Sequence, residues 1–134
     1  MGKIVVGYVP KPEGRAALTC AINEARLRQG SLVVVNSQRG GRDFGREEAA
    51  RSETELADVR KQLEDSGVEH DVRQLVRGLD PAEDLINVAT EVGAEVIVIG
   101  LRRRSPVGKL VLGSNAQRIL LDAPCPVLAV KASE

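Results

Sequence analysis

A basic segment punctuated by glycine, from residue 100 to residue 115, carries the residue types best suited to binding an anion. It begins at Gly100 directly after an apolar run, and residues 96–121 contain five basic side chains and no acidic one. The segment ends in Gly113-Ser114-Asn115, where a helix is predicted to begin with Ser114 as its N-cap. Free N–H groups at a helix N-terminus and guanidinium groups both bind phosphate well. The segment therefore predicts a site for a negatively charged ligand.

A purely structural interpretation of the same segment stays open. Gly100 and Gly113 would then only permit tight turns, and Ser114 would only cap its helix, a contribution of about 1 kcal/mol. The arginines at 102–104 would be solvated surface residues. The thirteen residues between Gly100 and Ser114 favour a functional role, because long loops in compact domains are usually functional.

The composition excludes several classes of protein. The 134 residues carry 19 basic and 19 acidic side chains, so no global field attracts DNA or an anionic membrane. Tyr8 and Phe44 are the only aromatic residues, too few to stack single-stranded nucleic acid. No run is long enough to cross a membrane, and a strand rather than a signal peptide starts at Lys3, which predicts a cytoplasmic protein. Cys20 and Cys125 form no metal or redox motif, so reduced thiols are expected.

Apolar patterning predicts strands and helices in strict alternation. Short β-branched runs indicate strands, and apolar residues at three- and four-residue spacing indicate helices. Asp80 is predicted to cap the third helix, with Gly30 and Gly93 as left-handed stops after the first and third. The predicted strands are residues 3–8, 31–36, 68–76, 95–99 and 126–130, and the helices are residues 14–29, 45–65, 81–92 and 115–123.

This alternation predicts an open, five-stranded parallel sheet of the Rossmann-like α/β class, with helices on both faces. The third strand alternates polar and apolar residues as an edge strand does, whereas the first and fourth are apolar throughout, which favours the order 3-2-1-4-5. The winding then reverses between strands one and four, where such sheets bind ligands. The predicted site therefore combines Tyr8-Val9-Pro10 with Ile99-Gly100-Leu101.

The segment from Val98-Ile99-Gly100 through Gly113-Ser114 to Cys125-Pro126-Val127 resembles that of a universal stress protein, and the resemblance covers the whole chain, residues 1–134, as a single domain. It implies a fold similar to the adenine nucleotide alpha hydrolases. Nucleotide-binding members carry a glycine, two residues, a second glycine, nine residues, and then glycine with serine or threonine. Gly100, Gly113 and Ser114 match, while Arg103 replaces the second glycine.

The first strand also departs from the family pattern. Members usually follow it with an aspartate that contacts the nucleoside, where this chain has Val9. Arg103 either fills the phosphate pocket or binds the phosphate itself. The resemblance implies ATP or another adenine nucleotide as ligand, with or without Mg, and a base that contacts the backbone of Ser37. Together with the strand ends and the basic segment, it predicts the nucleotide-binding residues Tyr8, Val9, Ser37, Gly100, Arg102, Arg103, Gly113, Ser114 and Asn115.

The leading hypothesis is a stress-response protein that binds an adenine nucleotide as a regulatory ligand at the loop after strand four and the following helix N-terminus. The alternative is a protein without a nucleotide or other cofactor, acting as a dimeric interaction module through protein partners. The resemblance implies a homodimer through the fifth strand, at the Val127 and Val130 edge. An enzyme is disfavoured, beyond weak ATP hydrolysis, because the predicted mouth offers no carboxylate, histidine or reactive cysteine as a base.

Overall fold

The computed structural model describes residues 2–38, 46–76, 80–101 and 113–132 of the chain. Strands and helices alternate along it as the apolar patterning predicts. The elements are β1 (Lys3–Gly7), α1 (Pro12–Arg28), β2 (Ser31–Gln38), α2 (Arg46–Ser66), β3 (His70–Val76), α3 (Pro81–Val92), β4 (Val96–Leu101), α4 (Ser114–Asp122) and β5 (Val127–Lys131).

The five strands form one parallel sheet in the order β3-β2-β1-β4-β5. In its register Val6 lies opposite both Val34 and Val98, and Gly100 lies opposite Val130. The predicted fold class and strand order are therefore confirmed. The winding reverses between β1 and β4, so the connections that follow these two strands cross to opposite faces of the sheet. A crevice is left between the carboxyl ends of the two strands.

The apolar core lies on both faces of this sheet. On one face Ile4 and Val6 of β1 pack under α1 and α2, and on the other Val5 packs under α3 and α4. Successive strand residues point to opposite faces, so a strand covered on both sides must be apolar at every position. This packing explains the uninterrupted apolar runs of β1 and β4.

No described helix has an apolar stretch long enough to cross a membrane.

Helix α1 differs from its prediction at both ends. It begins at Pro12 rather than at residue 14, because proline suits the first helical position, where no N–H is needed. The left-handed residue at its end is Gln29, with φ of 54°, and the prediction that Gly30 fills this role was wrong. Glycine is required at position 30 for a different reason: a Cβ there would lie 2.1 Å from the carbonyl oxygen of Gly2.

The starts of α3 and α4 give one success and one correction. Asp80 caps α3 as predicted, accepting a hydrogen bond of 3.0 Å from the backbone N–H of Ala82, and Gly93 ends that helix with φ of 66°. For α4 the N-cap is Gly113, which has no side chain to accept a hydrogen bond. The prediction of Ser114 as N-cap was therefore wrong, since Ser114 is already the first helical residue.

Candidate functional site

A cleft of about 160 Å³ opens at the carboxyl ends of β1 and β4, where the predicted topology placed a crevice. The first turns of α1, α3 and α4 surround it, and most of its lining is apolar. The residues that line it are Gly7, Tyr8, Val9, Glu13, Gly14, Val35, Ser37, Pro81, Ala82, Leu85, Ile99, Gly100, Asn115, Ala116 and Ile119.

Two glycines allow the start of α1 to approach the strands closely beside the cleft. A Cβ on Gly14 would lie 1.8 Å from the carbonyl oxygen of Val9, and a Cβ on Gly100 would lie 2.0 Å from that of Glu13. Real Cβ atoms do not come within 3.0 Å of a backbone oxygen in this way. The packing of α1 on β4 thus requires glycine at position 100, whatever the relation of this residue to a ligand.

Glu13 brings a carboxylate into the cleft. Its side chain is half-buried, and within the part of the chain that the structure describes it forms neither an ion pair nor a hydrogen bond. The expectation that the mouth offers no carboxylate was therefore wrong. The error follows from the helix boundary: with α1 predicted from residue 14, Glu13 belonged to a loop, whereas in the first helical turn it lies beside the strand ends.

A second carboxylate, from Asp84 of α3, lies directly behind the cleft. Its side chain is only 1% exposed, and its Oδ2 accepts a hydrogen bond from the Ser37 hydroxyl, which lines the cleft. Its Oδ1 has no hydrogen-bond partner among the described residues. The sequence did carry a signal for it, because Asp84 precedes Val88 by four residues and so lies on the apolar stripe of α3.

Tyr8 borders the cleft and is almost fully buried at the end of β1. Burial raises the pKa of its phenol, the carboxylates of Glu55 and Asp58 raise it further, and Arg15 opposes the shift. The phenol is therefore neutral at physiological pH. Tyr8 offers the cleft a flat apolar wall rather than a charge.

The start of α4 supplies the cleft with Asn115 and with first-turn backbone N–H groups, and its N-cap residue, Gly113, has no side chain that could accept from them. Arg118, one turn further on, is not available as a free cation. Its guanidinium lies 3.8 Å from a carboxylate oxygen of Asp80, 3.6 Å from one of Glu83 and 3.7 Å from one of Asp122. The surplus of positive charge predicted for this region therefore comes from the loop arginines and Lys109.

The predicted site residues fall into three groups. Gly113 and Ser114 lie at the start of α4 without lining the cleft, and Arg102 and Arg103 lie outside the described residues. The structure brings the remaining predicted residues together around the cleft, and these are Tyr8, Val9, Ser37, Gly100 and Asn115.

Metal and redox chemistry find little support in the described ranges. No group of three or more potential metal-ligating side chains occurs in the described part of the chain. Cys20 and Cys125 are free thiols that pack on opposite faces of the sheet. Burial raises the pKa of both, which disfavours the reactive thiolate form.

Comparison with known proteins places this cleft in context. The model of the universal stress protein family matches residues 1–131. A universal stress protein of Mycolicibacterium smegmatis is 49% identical over 128 residues, which cover 96% of each chain. A universal stress protein structure from Archaeoglobus fulgidus superposes with a TM-score of 0.85 at 37% identity, covering 98% of this chain and 99% of that one. Another from Archaeoglobus fulgidus, in complex with dAMP, has a TM-score of 0.79 at 32% identity and covers 98% of both chains.

Proposed function

Because the chain belongs to the universal stress protein family, we propose that it is a stress-response protein that binds an adenine nucleotide as a regulatory ligand. The ligand would occupy the cleft between β1 and β4, with its phosphates at the start of α4 and the loop before it. The observation that supports the proposal is the mostly apolar cleft bordered by the N-terminus of α4, whose N-cap is Gly113. The dAMP complex of a relative 32% identical over the whole chain supports it.

Each part of a nucleotide finds a suitable surface in this cleft. Val35, Leu85 and Ile119 form an apolar wall for a flat base. The first-turn N–H groups of α4, which include those of Ser114 and Asn115, suit a phosphate, to which the helix dipole contributes about 0.3–1 kcal/mol. Arg102 and Arg103 would supply charge-assisted hydrogen bonds from the loop. The binding residues that we propose are the nine predicted from the sequence.

Glu13 adds a requirement to the ligand. A carboxylate in the cleft repels a bare phosphate and accepts hydrogen bonds from hydroxyl groups, as a ribose provides. Magnesium binds through one or two carboxylates together with substrate phosphates. Glu13 is therefore the residue that would hold a Mg²⁺ ion accompanying ATP, and the ion would neutralise phosphate charge.

The first test is to measure nucleotide that co-purifies with the protein and to titrate it calorimetrically with ATP, AMP and cyclic AMP. We expect saturable heat with at least one of them below millimolar concentration. Asn115→Asp would place a negative charge at the start of α4 and should weaken AMP binding about tenfold. Asn87→Asp makes the same change at an exposed site of α3 outside the cleft lining and should leave binding unchanged.

Absence of both co-purified nucleotide and binding heat at millimolar concentration would reject this proposal and favour a ligand-free interaction module.

The exposed edge of the sheet supports association of the protein with a partner chain in either case. β5 lies at the edge of the sheet, and Leu128 is 36% exposed on it, while Leu121 at the end of the preceding helix is 83% exposed. An unpaired apolar edge is a surface that proteins normally cover.

We propose that a second copy of the chain covers this edge, near Val127 and Val130. Sedimentation should then give twice the monomer mass of 14.4 kDa. Leu128→Lys should shift the protein toward monomer, because a lysine on an edge strand opposes pairing. Leu27→Lys is the matched control, since Leu27 is 79% exposed on α1, and it should leave the mass unchanged. A concentration-independent monomer in the unmodified protein contradicts this proposal.

A further inference from the structure

Arg118 joins the two helix starts that border one side of the cleft. Its guanidinium lies 3.8 Å from an oxygen of Asp80 and 3.6 Å from one of Glu83, both at the start of α3. It also lies 3.7 Å from an oxygen of Asp122, one turn further along its own helix. Among the described residues, both ion pairs between α3 and α4 are thus made by this one side chain.

This bridge lies next to residues that line the cleft. On α3, the lining residues Pro81 and Ala82 stand between the two carboxylates that pair with Arg118. On α4, the residue that follows Arg118 in the chain, Ile119, lines the cleft as well. The separation of the two helix starts therefore sets the width of the cleft on this side.

Asp80 gives the bridge a fixed anchor on α3. Its Oδ1 accepts the capping hydrogen bond of 3.0 Å from the backbone N–H of Ala82, while its Oδ2 is the oxygen nearest to Arg118. The Asp80 carboxylate cannot turn away from the start of α3 without giving up this cap. The attraction therefore acts between the helices and not between two freely moving side chains.

The ion pairs of Arg118 are weak and open to solvent. Their distances of 3.6–3.8 Å exceed the usual N–H···O range of about 2.7–3.2 Å, so they depend on charge more than on directed hydrogen bonds. The Arg118 side chain is 42% exposed and its partners are 34–59% exposed. Exposed pairs of this kind contribute little to the stability of a fold, and salt screens them.

We infer that Arg118 is a positioning residue, which holds the starts of α3 and α4 at the separation that the ligand requires and makes ligand affinity depend on ionic strength. The inference rests on the proposed nucleotide-binding function and adds to it a means of regulation. Arg118 acts here through the two helices and not by touching the ligand, because its guanidinium is engaged by carboxylates.

The first test is a charge swap, measured by calorimetric titration with AMP at low salt. Arg118→Glu replaces attraction between the helices by repulsion and should weaken AMP binding about fivefold. Glu83→Arg alone places two guanidinium groups opposite each other and should weaken it about threefold. The double variant restores an ion pair with the net charge of the unmodified protein, and its affinity should return to within about twofold of the original.

Arg28→Glu is the matched control for the change in charge. Arg28 also pairs with two carboxylates, at 3.0 Å from Glu24 and 2.7 Å from Glu95, but at the amino-terminal end of the sheet, away from the cleft. Its AMP affinity should stay within about twofold of that of the unmodified protein. Urea unfolding of every variant checks that it is folded under the conditions of the titration.

Adenosine isolates the effect of salt, because this ligand carries no charge that salt could screen. At low salt the unmodified protein should bind adenosine more tightly than Arg118→Glu does. In about 1 M NaCl, where the screening length falls to about 3 Å, the two affinities should converge. If adenosine binds too weakly to titrate, the charge swap with AMP decides.

The outcomes separate this inference from the function on which it rests. Unchanged AMP affinity in folded Arg118→Glu overturns the positioning role and leaves nucleotide binding standing. A loss that the charge swap does not recover also overturns it, because Arg118 would then act on the ligand by its own charge. If the unmodified protein binds neither AMP nor ATP, the proposed function itself fails and the inference fails with it.

Discussion

Substituting Gly100 by alanine should destabilise the protein even without any ligand. A Cβ at this position would lie 2.0 Å from the carbonyl oxygen of Glu13, so that contact must lengthen by about one ångström or more. The obstacle is backbone in the first turn of α1, which cannot rotate away as a side chain would. Relief requires α1 to move off β4 as a unit.

The same turn is confined from a second side, which sets the expected magnitude. At Gly14, α1 also passes close to Val9, and a Cβ on Gly14 would lie 1.8 Å from the carbonyl oxygen of Val9. A shift of α1 therefore disturbs this contact as well. Overpacking in well-packed regions costs about 1–3 kcal/mol and sometimes more. We expect Gly100→Ala to cost about 3 kcal/mol, which corresponds to a fall in Tm of roughly 10 °C for a domain of this size.

Gly67→Ala is the matched control, measured by urea and thermal unfolding without nucleotide. Gly67 has φ of 75° with no heavy atom within 4 Å of its Cβ position, so alanine there meets backbone strain alone, about 1 kcal/mol. Gly100→Ala should therefore be clearly the less stable variant. The reasoning is refuted if Gly100→Ala unfolds at the same urea concentration as the unmodified protein and loses only ligand affinity, because glycine would then serve the ligand and not the fold.

Three further predictions concern the groups around the cleft. Tyr8 is the only tyrosine, so absorbance at 295 nm reports its ionisation alone, and because burial raises its pKa the midpoint should lie above 10 in the folded protein. The stability that this phenol contributes should be present below pH 10 and lost as the pH rises through that midpoint. Tyr8→Phe should abolish this loss. Arg118→Gln should lower the free energy of unfolding by less than about 1 kcal/mol in urea titrations, and by less still in high salt, because Arg118 and its partners are partly exposed to solvent. A loss above about 2 kcal/mol would contradict this. Arg103→Gly should weaken ATP binding about tenfold in calorimetry, because Arg118 is paired with carboxylates and the loop cations must offset the phosphates; tighter binding would show instead that Arg103 fills the pocket.

The strand order could be predicted from the sequence because burial on one or two faces leaves different patterns. β1 and β4 are apolar at nearly every position, as strands covered on both sides must be, while β3 alternates as an edge strand does. The Asp80 cap was equally predictable, because a cap depends on residues next to each other in the chain. Local sequence patterns were therefore sufficient to predict the fold, and the predicted topology was sufficient to predict the position of the cleft.

Two of the features that sequence reasoning missed depend on contacts between distant residues. Gly30 was assigned a left-handed turn, but its requirement is the close approach of Gly2, 28 positions earlier. Asp84 lies on the apolar stripe of α3, but its partner Ser37 is 47 positions away, and nothing local shows that the two meet. Such contacts arise only once the sheet is assembled, so no periodicity in the sequence can reveal them.

The distribution of charge around the cleft narrows the kind of ligand that fits it. The family pattern implies a carboxylate where Val9 stands, and here Glu13, in the first turn of α1, brings one into the same cleft. Inorganic phosphate alone would be repelled by this carboxylate. Arg118 would not offset the repulsion, because it already pairs with three other carboxylates. A ligand that also carries hydroxyl or amino donors can satisfy Glu13 and Ser37 while its anionic group lies at the start of α4. The residues around the cleft therefore favour the proposed nucleotide over a simple anion as its ligand.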